Sequence, residues 1–119
     1  MNAYEIPGLR FSIPAGAEIA RHRFVSVNAN GQAIQATAST PVIGASMNAV
    51  TDTPALAATK QIAEIADGIV IVEAGGTVAA GANVSSDASG KAVAAADSNV
   101  IGVAITAGAV GGLMSVKLV

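Results

Sequence analysis

Cysteine and tryptophan are absent from this chain, and histidine occurs once, at His22. Without cysteine there are no disulfides, no thiolate nucleophile and no zinc site of the Cys/His kind. Aromatic residues make up only 3%: Tyr4, Phe11 and Phe24, all in the first fifth of the chain. Charged residues make up 12%, with a formal net charge of −2, about half the usual ~25%. That argues against a nucleic-acid binder, which would show a basic face or stripe. Long apolar runs are missing as well. Ile69-Val70-Ile71-Val72 is far too short to span a bilayer. The first twenty residues, with Glu5, Pro7, Arg10, Pro14 and Glu18, lack the apolar stretch of a secretory signal. The expectation is a soluble protein made in a cytoplasm, with neither nucleic acid nor membrane as partner.

What the chain does have is alanine: 27 of 119 residues, beside 14 valines and 11 isoleucines but only 4 leucines. This is the length of one domain. Small side chains bury little area each, and at about 25 cal/mol per Å² such a core stabilises a small domain thinly. An oligomer or a docking surface is therefore expected.

A repeat organises the chain. Ala15-Gly16 recurs as Ala74-Gly75, Val25-Ser26 as Val84-Ser85, and Ala29-x-Gly31-x-Ala33 as Ala88-x-Gly90-x-Ala92, each 59 positions later (Gly16 to Gly75, Gly31 to Gly90). Ile19 matches Val78 and Ile34 matches Val93; after one deleted residue, Val42-Ile43-Gly44 recurs as Val100-Ile101-Gly102.

Each copy reads as β structure. Phe24-Val25-Ser26-Val27 leads through Asn28-Ala29-Asn30-Gly31 into Ala33-Ile34-Gln35-Ala36, a strand, tight turn and strand. Asn83-Val84-Ser85, Asp87-Ala88-Ser89-Gly90 and Lys91-Ala92-Val93-Ala94 repeat the pattern. Gly44 and Gly102 fall inside the next strands, where glycine signals a bulge or a close backbone approach. Residues 60–66 are ambiguous, since Thr53-Pro54 and the alanines favour helix. Their correspondence to the alternating Ser115-Val116-Lys117-Leu118-Val119 makes them a strand. Asp67-Gly68 then predicts a hairpin turn into residues 69–72, and residues 47–59 read as a surface loop. The expected fold is all-β: a small barrel or sandwich of two internally repeated units, 13–66 and 67–119, preceded by an N-terminal extended arm, 1–12.

Nothing in the sequence assembles a catalytic set. His22 lies between Arg21 and Arg23, whose charges disfavour its protonated form and make it a poor base. Asp67 and Asp87 lie in predicted turns, where aspartate is expected for backbone reasons. Glu64 and Glu73 flank strands on solvent-face positions. Gly75-Gly76 and the stretch 108–112 lack the Lys-Ser/Thr of a phosphate loop. Lys91 follows a turn without the flanking signature of a lipoyl or biotin carrier. The chain is expected to be no enzyme and to need no cofactor or metal.

Interface-type residues instead concentrate near the N-terminus: Tyr4, Ile6, Leu9, Arg10, Phe11, Arg21 and Arg23. Aromatics and arginine combine large contact area with directed polar groups, so these seven are the candidate partner interface. Either the segment lies along a neighbouring chain as an arm, or its bulky side chains close one end of the chain's own barrel.

The run from Asp67 to Gly81, the turn Ser86-Asp87-Ala88-Ser89-Gly90-Lys91-Ala92 and the segment Val100-Ile101-Gly102-Val103-Ala104 together resemble the capsid cement, or head decoration, proteins of tailed bacteriophages. With the weaker first copy, the likeness covers residues 13–119. It implies a non-enzymatic virion protein, typically a homotrimer, that joins the outer capsid surface and bridges subunits of the major capsid protein against DNA pressure. The alternative is a carbohydrate-binding or adhesin-like β-module. Sugar sites normally stack a ring on Trp or Tyr, and this chain has no Trp and one Tyr.

Overall fold

The computed structural model describes residues 6–38, 40–50, 62–95 and 100–119, and all regular structure among them is β. Nine strands follow in order: β1 Ile6–Pro14, β2 Phe24–Val27, β3 Ala33–Gln35, β4 Gly44–Ser46, β5 Ile62–Glu73, β6 Asn83–Ser86, β7 Ala92–Ala94, β8 Gly102–Ala104 and β9 Leu113–Leu118. They form one antiparallel sheet ordered β3-β2-β4-β5-β9-β8-β6-β7, with β1 also paired to β5. Among the described residues no helix is long and apolar enough to cross a membrane.

The repeat is a structural repeat. Two isolated parallel bridges, Ala15 to Ala33 and Ala74 to Ala92, curl each half of the sheet into a small barrel. The Gly16 N–H donates to the Ala33 carbonyl and the Gly75 N–H to that of Ala92, both at 2.8 Å. The bridge of Ile19 to Val50 returns as Val78 to Gly108. The two turns use one device. Asn28 Oδ1 accepts the N–H groups of Asn30 and Gln32, and Asp87 Oδ1 accepts those of Ser89 and Lys91. Short side chains that satisfy the backbone in this way are why Asn and Asp suit turns. Gly31 and Gly90 follow at φ 74° and 76°, where a Cβ is disfavoured.

Of the strand expected over 60–66, residues 62–66 are strand and residues 60–61 lie outside the described residues. Asp67-Gly68, however, is no hairpin turn. β5 runs straight through it for twelve residues. Its start pairs with β4 (Ala66 with Ala45) and its end with β9 (Val72 with Met114). The last strand of the first copy thus becomes the first strand of the second. Gly68, at φ 111°, lies opposite the register shift that β1 makes between Pro7 and Leu9. Partners on both flanks outweigh the local turn preference.

β1 completes the first unit. Phe11 pairs with Ile65 as Val70, 59 positions later, pairs with Val116. From Ile6 onward the N-terminal segment is extended, as expected, and it lies along its own chain's β5; residues 1–5 lie outside the described residues. β1 therefore crosses the boundary drawn at residue 12, and the boundary at 66/67 falls inside β5. Within the loop of 47–59, Val50 is bridged to Ile19; residues 51–59 lie outside the described residues.

Two apolar clusters fill the halves. The first unit holds Ile19, Val25, Ala33, Val50, Ala63 and Ile65, with Phe11, Ile13 and Ile43 half-buried against them. The second holds Val70, Val72, Val78, Val84, Met114 and Val116, and it also takes in Phe24, Ala36, Ala45 and Ala66 of the first unit. Neighbours in β2 serve different cores, Val25 its own unit and Phe24 the other, because successive strand residues face opposite sides of a sheet.

Candidate partner interface and the junction between the units

The structure does not bring the seven candidate interface residues together. Tyr4 lies outside the described residues, and Ile6 is placed by its backbone pairing with Ile69. Leu9 and Arg10 are exposed on β1, next to a register shift between Pro7 and Leu9. Phe11 points the other way and packs against the first core. Arg10, Phe11, Ser12, Met47, Glu64 and Ile65 line an open groove of about 280 Å³. Arg21 is exposed in the turn before β2.

Arg23 is engaged within the chain. Its Nη2 donates to Glu73 Oε1 at 3.0 Å, and its Nη1 reaches the Ser89 carbonyl of the second unit at 3.4 Å. Lys91 Nζ lies 3.2 Å from the other Glu73 oxygen. The hydrogen bond from Arg23 holds the Glu73 carboxyl below its ordinary value of 4.5; burial pushes the other way, and Lys91 adds to the lowering. Two backbone bonds seal the same junction: Phe24 N–H to the Gly90 carbonyl at 2.8 Å, and Glu73 N–H to the His22 carbonyl at 2.9 Å. A Cβ on Gly90 would stand 3.1 Å from the Phe24 oxygen, so glycine is required there for closeness as well as for φ.

His22 has φ 61° and occupies the place of Gly81, φ 85°, in the second unit. Its N–H donates to the Ser46 carbonyl as the Gly81 N–H donates to that of Ala104. Its role is a turn position, a conformation histidine tolerates better than bulky residues do. Among the acids, Asp67 Oδ1 accepts the following Gly68 N–H, Asp87 holds its turn, Glu73 holds the junction, and Glu64 is exposed. Among the described residues no three His, Asp or Glu side chains gather as a metal site. Phe24, one of three aromatics, is fully buried and offers no stacking face.

Sequence reading missed Glu73, Ser89 and Lys91 as the junction. The signal lay where the copies differ. Arg23-Phe24 of the first unit corresponds to Ala82-Asn83 of the second, and Glu73 corresponds to Pro14. Differences that remove a charge and an aromatic together mark the place where one copy has a neighbour and the other does not.

The class defined by this architecture is a small all-β protein made of two fused, repeated barrels. The fold is similar to that in a crystal structure of the N base of head fiber gp8.5 in bacteriophage phi29, with a TM-score of 0.73 over 93% of each chain and 18% sequence identity. No family model and no curated protein matches the chain.

Proposed function

We propose that this chain is a structural protein of a phage virion. It sits on the outer capsid surface as a homotrimer and bridges neighbouring subunits of the major capsid protein. The observation that carries this reading is the two-barrel fold itself, shared over nearly the whole chain with a protein described as a head fiber base. The sequence likeness to cement proteins points the same way independently. A clamp of this kind needs contact area and stiffness rather than a reactive group. Three copies held together engage three capsid sites at once, and the high effective concentration of the second and third contacts makes release slow. Bridging then resists internal pressure, because separating two capsid subunits requires breaking both cement contacts as well as their own.

The test is co-sedimentation. Purified protein is mixed with empty heads of the phage that encodes it and pelleted. Saturable binding at a fixed ratio to the major capsid protein is expected, together with a higher temperature of head disruption. Protein that stays in the supernatant at every ratio overturns the proposal.

A further inference from the structure

The junction inside the chain is a template for a junction between chains. In β1, β5, β4 and β2 the paired residues Arg10, Ala66, Ala45 and Phe24 form one row across the first unit. Paired residues of an antiparallel ladder share a face, and three members of this row, Ala66, Ala45 and Phe24, lie in the core of the second unit. The outer face of the first barrel thus closes the second barrel. The repeat places a matching row on the second unit: Ile69, Lys117, Val103 and Asn83. There, among the described residues, no second barrel closes over the row: Ile69, which also pairs with Ile6, and Val103 are half-buried, and Lys117 and Asn83 are exposed.

The complementary side, too, is only partly covered among the described residues. In the second unit, Val70 and Val72 are sealed at 0% exposure in the cluster that contains Phe24, Ala45 and Ala66. Their counterparts in the first unit, Phe11 and Ile13, are larger and only half-buried. The hairpin tip tells the same story. Gly90 is buried on Phe24, whereas its counterpart Gly31 is exposed, with no atom within 4 Å of a Cβ built on it.

We infer that a second copy of this chain completes both surfaces. The mouth of the first barrel of one copy, with Phe11, Ile13 and the 28–31 turn, docks on the outer row Ile69, Lys117, Val103 and Asn83 of the next. Gly31 of one copy takes toward Asn83 of its neighbour the place that Gly90 takes toward Phe24 within the chain. Such an interface joins two different surfaces, so it is heterologous, and it closes into a ring when its rotation permits. It contains Asn83 and Ala82 in place of Phe24 and Arg23, so it is weaker than the junction inside the chain. That difference makes copies separable from one another while the two barrels of each stay fused. The inference rests on the repeat and not on the capsid reading.

The absence of cysteine allows a clean test. Asn30→Cys and Asn83→Cys, both at exposed positions, are made as separate proteins, mixed and oxidised. Cross-links joining one variant to the other are expected to dominate, with same-variant pairs scarce. In sedimentation velocity from micromolar to millimolar concentration, the wild type is expected to form a concentration-dependent oligomer. Val103→Arg, which sets a second cation beside Lys117, is expected to return it to monomer with the melting temperature that the wild type shows when diluted to monomer. A wild type that stays monomeric across that range, cross-links mainly between identical variants, or a Val103→Arg protein that keeps the oligomer would each overturn the inference.

Discussion

The guanidinium of Arg23 lies 3.0 Å from the carboxylate of Glu73 and spans fifty positions of sequence to reach it. The pair holds the turn before β2 against the end of β5, with Lys91 as a second cation. Arg23 Nε is buried without a hydrogen-bond partner among the described residues, which offsets part of what Nη2 gains. Arg23→Ala is therefore expected to cost only about 1 kcal/mol, measured by urea unfolding, with unchanged slope.

Acid should weaken this junction. The folded-state value of Glu73 is depressed below 4.5, so its contribution is fully present above the unfolded-state value. It is lost as the pH falls through the lower, folded one. The melting-temperature gap between wild type and Glu73→Gln is expected to be constant near neutrality and to shrink below pH 4.5. A gap that grows on acidification would contradict the assignment.

Phe24 is fully buried, in the core of the other unit. Phe24→Ala empties a site that bridges two barrels and is expected to cost about 3–5 kcal/mol. The equivalent change Asn83→Ala, at an exposed position, is expected to stay within about 0.5 kcal/mol. Equal effects at the two sites would show that the copies are interchangeable and the junction is not special.

Gly44 and Gly102 are pinned by the neighbouring strand. A Cβ at Gly44 would lie 2.6 Å from the Ala66 carbonyl oxygen, and one at Gly102 2.6 Å from that of Lys117. Each glycine-to-alanine change is expected to destabilise by about 1–3 kcal/mol through forced backbone displacement. Thermal denaturation of both variants checks this, and the losses should be similar, since the contacts repeat.

Removing residues 1–10 deletes the half of β1 that pairs with residues 66–69 of β5. A clear fall in melting temperature is expected, because the shortened β1 leaves backbone groups of β5 without partners. If stability is unchanged and only head binding is lost, the segment acts as a partner arm instead.

The two-unit architecture was legible because glycine and turn chemistry repeat at a fixed spacing, and alanine-rich sequence could not obscure Gly16, Gly31, Val25-Ser26 or Val42-Ile43-Gly44. The close approach at Gly44 and Gly102 was legible for the same reason. Asp67-Gly68 misled because a hairpin signal is local, whereas the decision to continue β5 is made by β1, β4 and β9, strands distant in sequence. Arg23 was rightly singled out as an unusual residue but assigned outward. Nothing in the order of residues shows that the second hairpin folds back to within reach of it.

β5 extends for twelve residues, about 40 Å at 3.3 Å per residue, against a longest molecular dimension of 42 Å. One uninterrupted backbone therefore belongs to both barrels, like a spar through two ribs. Tension applied along it travels through covalent bonds before any hydrogen bond is loaded. Shear between the barrels meets the paired lengths of β1, β4 and β9 in parallel rather than one bond at a time. The molecule should yield first at its short outer strands, β3 and β7, and last along its middle.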